Sequence, residues 1–266
     1  MDTLDSLGRR IGATEKLESI VRTMKSLSAV SIRQYEEAVE TLHHYSHAVE
    51  LGFSVVLPQL ERVPTTVGKS SGVVVIVFGS DHGLCGRFND QIGDFARTHI
   101  SRSEDAQQPI RWLAVGARAG ARLQAAGESP AETLLLPGAP SGLVATAQTI
   151  LMLVDRWRAE VDLERVLVAH NHHTDLSTAI PELRQVLPVD PEWLARLSGP
   201  TWPSRRLPTY SMATERLFAA LVREHLFLSI YRAGAESMAS EHATRLAAMQ
   251  AAERNIAETL EAVSYT

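Results

Sequence analysis

The chain has 266 residues, of which 45% are hydrophobic and 6% aromatic, and this suffices for one globular core with an added extension. The formal net charge of -5 argues against a general affinity for nucleic acid. The single cysteine, Cys85, excludes an internal disulfide framework, and the longest apolar run, residues 73–78, is too short to span a membrane.

The first segment predicts one long helix over residues 3–57. No proline interrupts it before Pro58, and at 1.5 Å per residue it would be about 80 Å long. A helix of that length is expected to need a partner helix along it. Its apolar residues recur at steps of three or four, or at sums of these: Leu4, Leu7, Ile11, Leu17, Ile20, Val21, Met24 and Leu27.

The middle of the chain alternates between strand and helix patterns. Residues 73–78 are a β-branched run bounded by glycine, which is typical of a buried strand in a parallel sheet. The alternation that follows predicts a doubly wound α/β layer. Strands are expected at 110–115, 134–136 and 166–169, and helices at 88–99, 116–126 and 143–160. The proline-rich stretch 181–208 is expected to be irregular, with one more strand around 184–187.

The last segment predicts a second long helix over residues 209–263, also without proline. A seven-residue apolar repeat along it is the pattern of a left-handed coiled coil, with His242, Glu224 and Arg245 as polar exceptions. The alternative is a single amphipathic helix lying on the α/β layer. The repeat consists of Leu221, Leu228, Ala235, His242, Met249, Ile256 and Val263, with a companion series of Leu217, Tyr231, Met238 and Ala252.

Together these elements predict an α/β fold in which two long terminal helices form an antiparallel coiled coil. A central Rossmann-like α/β domain is inserted between them. The expected division is residues 1–57 for the N-terminal helix, 58–208 for the α/β domain and 209–266 for the C-terminal helix.

Two glycine-containing segments resemble nucleotide-binding loops but lack the required spacing. Residues 67–70, Val-Gly-Lys-Ser, end like a phosphate-binding loop, yet Val63 stands where its first glycine belongs and the segment precedes a strand. Residues 116–120 follow a strand and open a helix, but they lack the G-x-G-x-x-G spacing. We therefore expect no bound nucleotide or other cofactor, and we interpret the second segment as a helix start packed on the sheet.

The histidines and the cysteine suggest no metal or catalytic site by themselves. His43 and His47 stand four apart on a predicted helix, and His170, His172 and His173 follow a predicted strand. Neither group includes a cysteine or carboxylate at a recognised metal spacing, so surface histidines are expected. Cys85 is interpreted as a buried or half-buried structural thiol. No catalytic residue is predicted.

Two motifs nevertheless match one family. Residues 79–89, Gly-Ser-Asp-His-Gly-Leu-Cys-Gly-Arg-Phe-Asn, resemble the S-D-x-G-L-C-G-x-F-N loop of F-type ATP synthase gamma subunits. Residues 237–249 are similar to that family's S-x-A-S-E-x-A-A-R-x-x-A-M helix. The N-terminal segment from Arg10 to Met24 resembles the family's start more loosely, so the resemblance extends over essentially the whole chain.

The resemblance implies a non-catalytic rotor subunit that couples ion flow through a membrane ring to ATP synthesis or hydrolysis. Its expected partners are the alpha and beta subunits of the catalytic hexamer, the epsilon subunit and the c-subunit ring, at the cytoplasmic face of the bacterial inner membrane. The polar N-terminus carries no secretory signal, so membrane association is expected only through these partners. The subunit-interaction residues that the resemblance implies are Arg22, Met24, Lys25, Ser240, Glu241 and Arg245.

Some positions depart from the family pattern. Residues 25–31 replace the usual Ala/Lys-rich stretch, and His82 stands where a longer or basic side chain is common. The family's last helix normally continues for roughly six more turns beyond the position where Thr266 ends this sequence. A divergent F-type ATPase, proton- or sodium-linked, fits these departures. The alternatives are a nucleotide-dependent α/β enzyme and a coiled-coil scaffold unrelated to ATP synthesis.

Overall fold

A computed structural model describes residues 4–60, 72–160, 163–174, 177–198, 202, 206 and 208–264. Two helices of more than 50 residues flank an α/β layer built from shorter elements. The helices are α1 (Leu4–Val56), α2 (Phe88–Arg102), α3 (Ala117–Ala125), α4 (Leu143–Glu160), α5 (Pro191–Leu197) and α6 (Thr214–Ser264). The strands are β1 (Gly72–Phe78), β2 (Ile110–Val115), β3 (Glu132–Leu134), β4 (Leu163–Thr174) and β5 (Ser177–Leu187).

The five strands form one mixed sheet in the order β3-β2-β1-β4-β5. Strands β1 to β4 run parallel, because helical crossovers connect them, whereas β5 returns antiparallel to β4 at the edge. Every residue of β1 is buried, as expected for a central strand covered on both faces. Helices α2 and α3 cover one face of the sheet, and α4 and α6 cover the other.

The two long helices pair antiparallel. Lys25 Nζ lies 2.6 Å from Glu253 Oε2, Tyr35 stacks on His242, and Phe53 contacts Phe218, so rising numbers on α1 meet falling numbers on α6. A seven-residue series on α1 supplies its inward face, and the series reads Val21, Ser28, Tyr35, Leu42, Val49 and Val56. The predicted fold class, with two terminal helices around a central α/β layer, is therefore confirmed.

Part of the apolar pattern of α1 is exposed to solvent. Leu17, Ile20 and Leu27 are 55%, 54% and 63% exposed, while Val21 and Ser28 are buried. A seven-residue repeat turns only a narrow stripe toward a partner helix, so the other apolar positions remain on the outer side. Among the positions expected on the pairing faces, the side chains of Leu4, Leu7 and Val263 lie outside the described part of the chain.

The region after the fourth strand is more regular than predicted. Strand β5 begins at Ser177, and Pro181 pairs with Asn171 inside it, because an edge strand tolerates a residue without an N–H. Helix α5, which we did not predict, begins at Pro191 with the Asp190 side chain accepting a hydrogen bond from the Glu192 backbone at 2.9 Å.

Other boundaries moved by a few residues. Strand β3 ends at Leu134 and so precedes most of the expected 134–136 piece, and α6 begins at Thr214 rather than at residue 209. The segment containing Val63, Gly68 and Lys69 lies outside the described residues. Among those described, no helix combines the length and the hydropathy needed to cross a bilayer. The proposed division of the chain into three parts stays a prediction.

Candidate functional site

The loop after β1 is held by hydrogen bonds among its own residues. The Ser80 backbone N–H donates to Asn89 Oδ1 at 2.9 Å, and Asn89 Nδ2 donates back to Ser80 Oγ at 2.7 Å. Ser80 Oγ in turn donates to the His82 carbonyl at 2.8 Å. Beside them, Cys85 is 2% exposed, and burial raises the pKa of its thiol. The predicted burial of Cys85 is therefore confirmed, and the raised pKa lowers the fraction of reactive thiolate.

Asp81 connects this loop to the neighbouring part of the sheet. One carboxylate oxygen accepts from the Ala117 backbone N–H at the start of α3, and the other accepts from the Leu136 N–H, both at 2.8 Å. Asp81 therefore satisfies an otherwise free donor in the first turn of α3 and fixes the segment after β3.

The glycines at the start of α3 are explained by packing. Gly116 has φ of 115°, and a Cβ there would lie 2.8 Å from the backbone N and O of Ser80. A Cβ on Gly120 would lie 2.9 Å from Thr133 Oγ1. This close approach of α3 to the sheet and to the β1 loop supports our interpretation of residues 116–120 as a packed helix start.

A buried ion pair on α6 faces the same loop. Glu241 and Arg245 are 4% and 7% exposed, they pair with each other, and Arg245 Nη2 donates to the Gly83 carbonyl at 3.5 Å. Burial raises the pKa of Glu241 more than the charge of Arg245 lowers it. The pair binds helix α6 to the loop after β1.

Ser240 makes a second connection between α6 and the sheet. Its Oγ donates to the Thr178 carbonyl of β5 at 2.6 Å, and its side chain is fully buried. Of the six residues predicted to contact other subunits, Ser240, Glu241 and Arg245 thus lie together at an internal junction between α6, the β1 loop and β5. We call this set of contacts the shaft–domain junction.

The other three predicted residues lie apart from that junction. On α1, Arg22 pairs with Glu18 at 2.7 Å on the exposed surface, and Lys25 pairs with Glu253 of α6. Met24 is half-buried between them. Residue 253 is eight positions beyond Arg245, which is about 12 Å along the helix. The structure therefore divides the six predicted residues into two separate groups.

The sequence interpretation missed a buried histidine, His170. His170 is fully buried, and its Nε2 lies 2.8 Å from Glu236 Oε2, so its interpretation as a surface histidine is wrong. Burial would raise the pKa of Glu236, but the His170 hydrogen bond and the charges of Arg184 and Arg232 outweigh it, and the pKa is lowered. The period of two along β4, with buried Val166 and Val168, could have indicated that His170 faces α6.

Comparisons with known proteins agree on one family. A protein-family model described as ATP synthase matches residues 3–266. The ATP synthase gamma chain of Granulibacter bethesdensis is 26% identical over 283 residues, covering 100% of this chain and 92% of that one. That of Pelagibacter ubique is 24% identical and covers 98% and 90% of the two chains.

Solved structures share the fold. The rotor of the Euglena gracilis mitochondrial ATP synthase superposes with a TM-score of 0.65 at 16% identity, over 97% of this chain and 94% of that one. The central stalk and c-ring structure of the Tetrahymena thermophila enzyme gives a TM-score of 0.60 at 17% identity, over 88% and 99%. Since the family model covers almost the whole sequence and full-length gamma chains align with it, the chain belongs to the gamma subunit family of F-type ATP synthases.

Proposed function

We propose that this chain is the rotating shaft of its ATP synthase and carries no catalytic site of its own. The observation that carries the proposal is the projecting antiparallel helix pair. Glu36 on α1 and Arg245 on α6 hydrogen-bond to the α/β layer, and nearer the termini Lys25 and Glu253 join the helices to each other. A helix of 53 residues is about 80 Å long.

The outer side of α1 carries exposed apolar residues, which suits contact with surrounding subunits. Leu17, Ile20, Leu27 and Val30 recur on one side of α1 and are each more than half exposed. An apolar strip of this kind on a polar helix is typical of a protein–protein contact. In the proposed assembly the alpha and beta subunits surround this strip, and the epsilon subunit and the c ring bind the α/β domain.

The proposed mechanism is mechanical. Ion flow through the c ring, of protons or sodium ions, turns the α/β domain, and the shaft–domain junction passes the rotation to the helices. Successive faces of the shaft then meet each catalytic subunit and favour different conformers of it, because a partner shifts a conformational equilibrium by its difference in affinity for the two states. The chain works at the cytoplasmic face of the bacterial inner membrane, which it reaches through its partners.

The polar groups beside the sheet support a structural rather than a catalytic role. Both oxygens of Asp81 accept backbone hydrogen bonds, Arg245 is paired with Glu241, and the Cys85 thiol has a raised pKa. These groups do not favour a nucleotide-dependent enzyme. An unrelated coiled-coil scaffold is not favoured because the family model and the gamma chains match along the chain.

Co-purification tests the proposal. A tagged full chain, expressed with untagged alpha, beta and epsilon subunits, should retain the hexamer in a stable complex. By itself the purified chain should show no saturable heat with ATP and Mg²⁺ in calorimetry. Turnover of nucleotide by the isolated chain, or failure to retain the hexamer, would contradict the proposal.

The two groups of predicted contact residues have different proposed roles. Arg22, Met24 and Lys25 lie near the hexamer's collar, whereas Ser240, Glu241 and Arg245 affect subunit contacts through the position of the β1 loop. Replacing Met24 with Lys adds a charge at the proposed contact, and we expect weaker coupling of ATP hydrolysis to ion pumping in reconstituted vesicles. Unchanged coupling with normal assembly would leave Met24 as a packing residue only.

A further inference from the structure

A compact group of metal-type donor atoms lies where β4, β5 and α6 meet. His170 comes from β4, Glu182 stands opposite it in the antiparallel pairing with β5, and Glu236 comes from α6. His170 Nε2 is 2.8 Å from Glu236 Oε2 and 3.8 Å from Glu182 Oε2, and the three donor atoms all lie within 4.8 Å of one another. Ligands about 2.0–2.2 Å from one tetrahedral ion stand about 3.3–3.6 Å apart, so these separations need only small shifts to suit a shared ion.

Two arginines hold the carboxylates in this orientation. Arg184 donates to Glu182 Oε1 from Nη2 at 2.9 Å and from Nε at 3.2 Å. Arg232 Nε lies 3.4 Å from Glu236 Oε1. Each carboxylate therefore has one oxygen held from behind while its second oxygen faces His170. Outer partners of this kind orient the ligands of protein metal sites.

His172 stands next to this group of three, on the same face of β4 as His170. Its Nδ1 is buried, lies 3.6 Å from Glu182 Oε2 and makes no hydrogen bond within the described part of the chain. The His172 side chain as a whole is 33% exposed, so the cluster is reached from the surface on this side.

A cleft of about 370 Å³ leads to the cluster, and its charge favours a cation. Four glutamates line it against a single lining arginine, Arg184, with Arg232 beside it. One of the four, Glu36, lies 2.9 Å from His173 Nε2. The lining glutamates are Glu36, Glu40, Glu182 and Glu236.

We propose that His170 Nε2, Glu182 Oε2 and Glu236 Oε2 bind one divalent transition-metal ion of the zinc class, and that the His172 side chain turns toward the ion so that its Nδ1 becomes the fourth ligand. Two imidazole nitrogens and two carboxylate oxygens are a ligand set that Zn²⁺ accepts in tetrahedral geometry. Binding replaces the His170–Glu236 hydrogen bond and releases any proton on His170 Nε2 to solvent. The ion joins the edge of the sheet to α6, so it fastens the shaft to the domain independently of the shaft–domain junction.

Calorimetric titration of the full chain with ZnCl₂, after removal of bound metal with a chelator, tests this site. We expect one Zn²⁺ per chain and a melting temperature that rises with zinc concentration. Glu236→Gln and His172→Gln should each weaken binding by about 100-fold or more, since changes to outer partners alone cost about 10–100-fold.

The exposed pair His43 and His47 provides a matched control, since two histidines four apart on a helix could also contact one Zn²⁺. A His43→Gln/His47→Gln variant should bind zinc as the unmodified chain does. Loss of binding in that variant, no saturable binding in the unmodified chain, or unchanged binding after Glu236→Gln and His172→Gln would each overturn the proposal. Because His172 is partly exposed, its variant is expected to fold even if the Glu236 variant does not, and circular dichroism checks this.

Discussion

At the scale of single residues, the shaft–domain junction depends on charges that are expensive to bury alone. The Arg245 and Glu241 side chains are 9% and 5% exposed, so each is compensated mainly by the other and by the Gly83 carbonyl. Removing one member of a buried pair leaves an uncompensated charge. The exposed Arg22–Glu18 pair, in contrast, keeps its solvation whether or not it forms.

We expect Arg245→Met to lower the free energy of unfolding by about 3–5 kcal/mol. Arg22→Met should change it by less than about 1 kcal/mol, because an exposed pair contributes little. Urea denaturation of the two variants measures the difference. Adding Glu241→Gln to Arg245→Met should recover part of the loss, and equal stability of the two single variants would contradict the assigned burial of the pair.

Three glycines in the segments that connect β2, α3 and β3 to the elements after them differ in backbone strain, and alanine substitutions can test this difference. Gly116 has φ of 115°, and the Cβ of an alanine there would lie 2.8 Å from Ser80 backbone atoms. Gly127 has φ of 89°, but a Cβ there would meet no atom within 4 Å. A Cβ at Gly138 would also meet no atom within 4 Å, and Gly138 does not have a positive φ. Alanine should therefore be most destabilising at Gly116, by more than about 2 kcal/mol, intermediate at Gly127 and near neutral at Gly138. Thermal unfolding of the three variants gives the order, and a mild effect at Gly116 would show that the β1 loop can move away.

At the scale of elements, α1 has two apolar sides with different roles. The inward series that includes Val21, Ser28 and Tyr35 packs on α6, while Leu17, Ile20, Leu27 and Val30 remain exposed on the outer side. The outer side adds little to the stability of the isolated chain, and its apolar character fits the contact with the alpha and beta subunits that we propose for it.

Leu27→Lys is expected to leave the stability of the isolated chain within about 0.5 kcal/mol, because the side chain is 63% exposed. It should, however, weaken assembly with the alpha/beta hexamer, since a charge would be buried at the contact. Met152→Lys on α4 is the control, as Met152 is 60% exposed and lies away from α1. The amount of alpha/beta hexamer retained by each variant in a pull-down tests this prediction. Equal retention by the two variants would contradict the outer side of α1 as a contact surface.

At the scale of the whole molecule, two histidines make folding sensitive to acid. Burial, with a smaller effect from Arg184, lowers the pKa of His225 to about 4, and burial with Arg245 lowers that of His242 to about 4. His225 packs between α1 and α5 against Phe53 and Trp193, and His242 stacks on Tyr35, so both lie at contacts between elements. The folded chain thus binds fewer protons than the unfolded chain, whose histidines titrate near the ordinary value of 6.5.

The stability from these histidines is fully present above pH 6.5 and is lost as the pH falls towards 4. Each contributes roughly 2–3 kcal/mol over that range, on the basis of about 1.4 kcal/mol per pKa unit. We expect His225→Phe, which keeps an aromatic ring beside Trp193, to flatten the decline measured by urea denaturation between pH 6.5 and 4. His43→Phe, at an exposed position, should leave the decline unchanged, and an equally steep decline after His225→Phe would refute the assignment.

Much of this architecture could be predicted from local patterns. Three patterns predicted single elements, because each depends only on residues close together in the sequence. They are the β-branched run of β1, the proline-free ends of the chain and the seven-residue repeat from Leu221 to Ile256. The loop at Ser80 and the helix at Glu241 identified the family, because their spacing is specific. These patterns are local, so they can be interpreted without knowing which elements contact each other in the fold.

The contacts between distant segments could not be predicted from these local patterns. Period alone could not assign Leu27 to the outer side and Val21 to the inner side, since both belong to apolar series on the same helix. Nor could it bring together His170 and Glu236, which are 66 positions apart and meet only because α6 packs across β4. Local patterns in the amino-acid sequence therefore sufficed to predict the elements and the family, whereas burial and the contacts of charged side chains depend on the packing of distant segments, which no local spacing encodes.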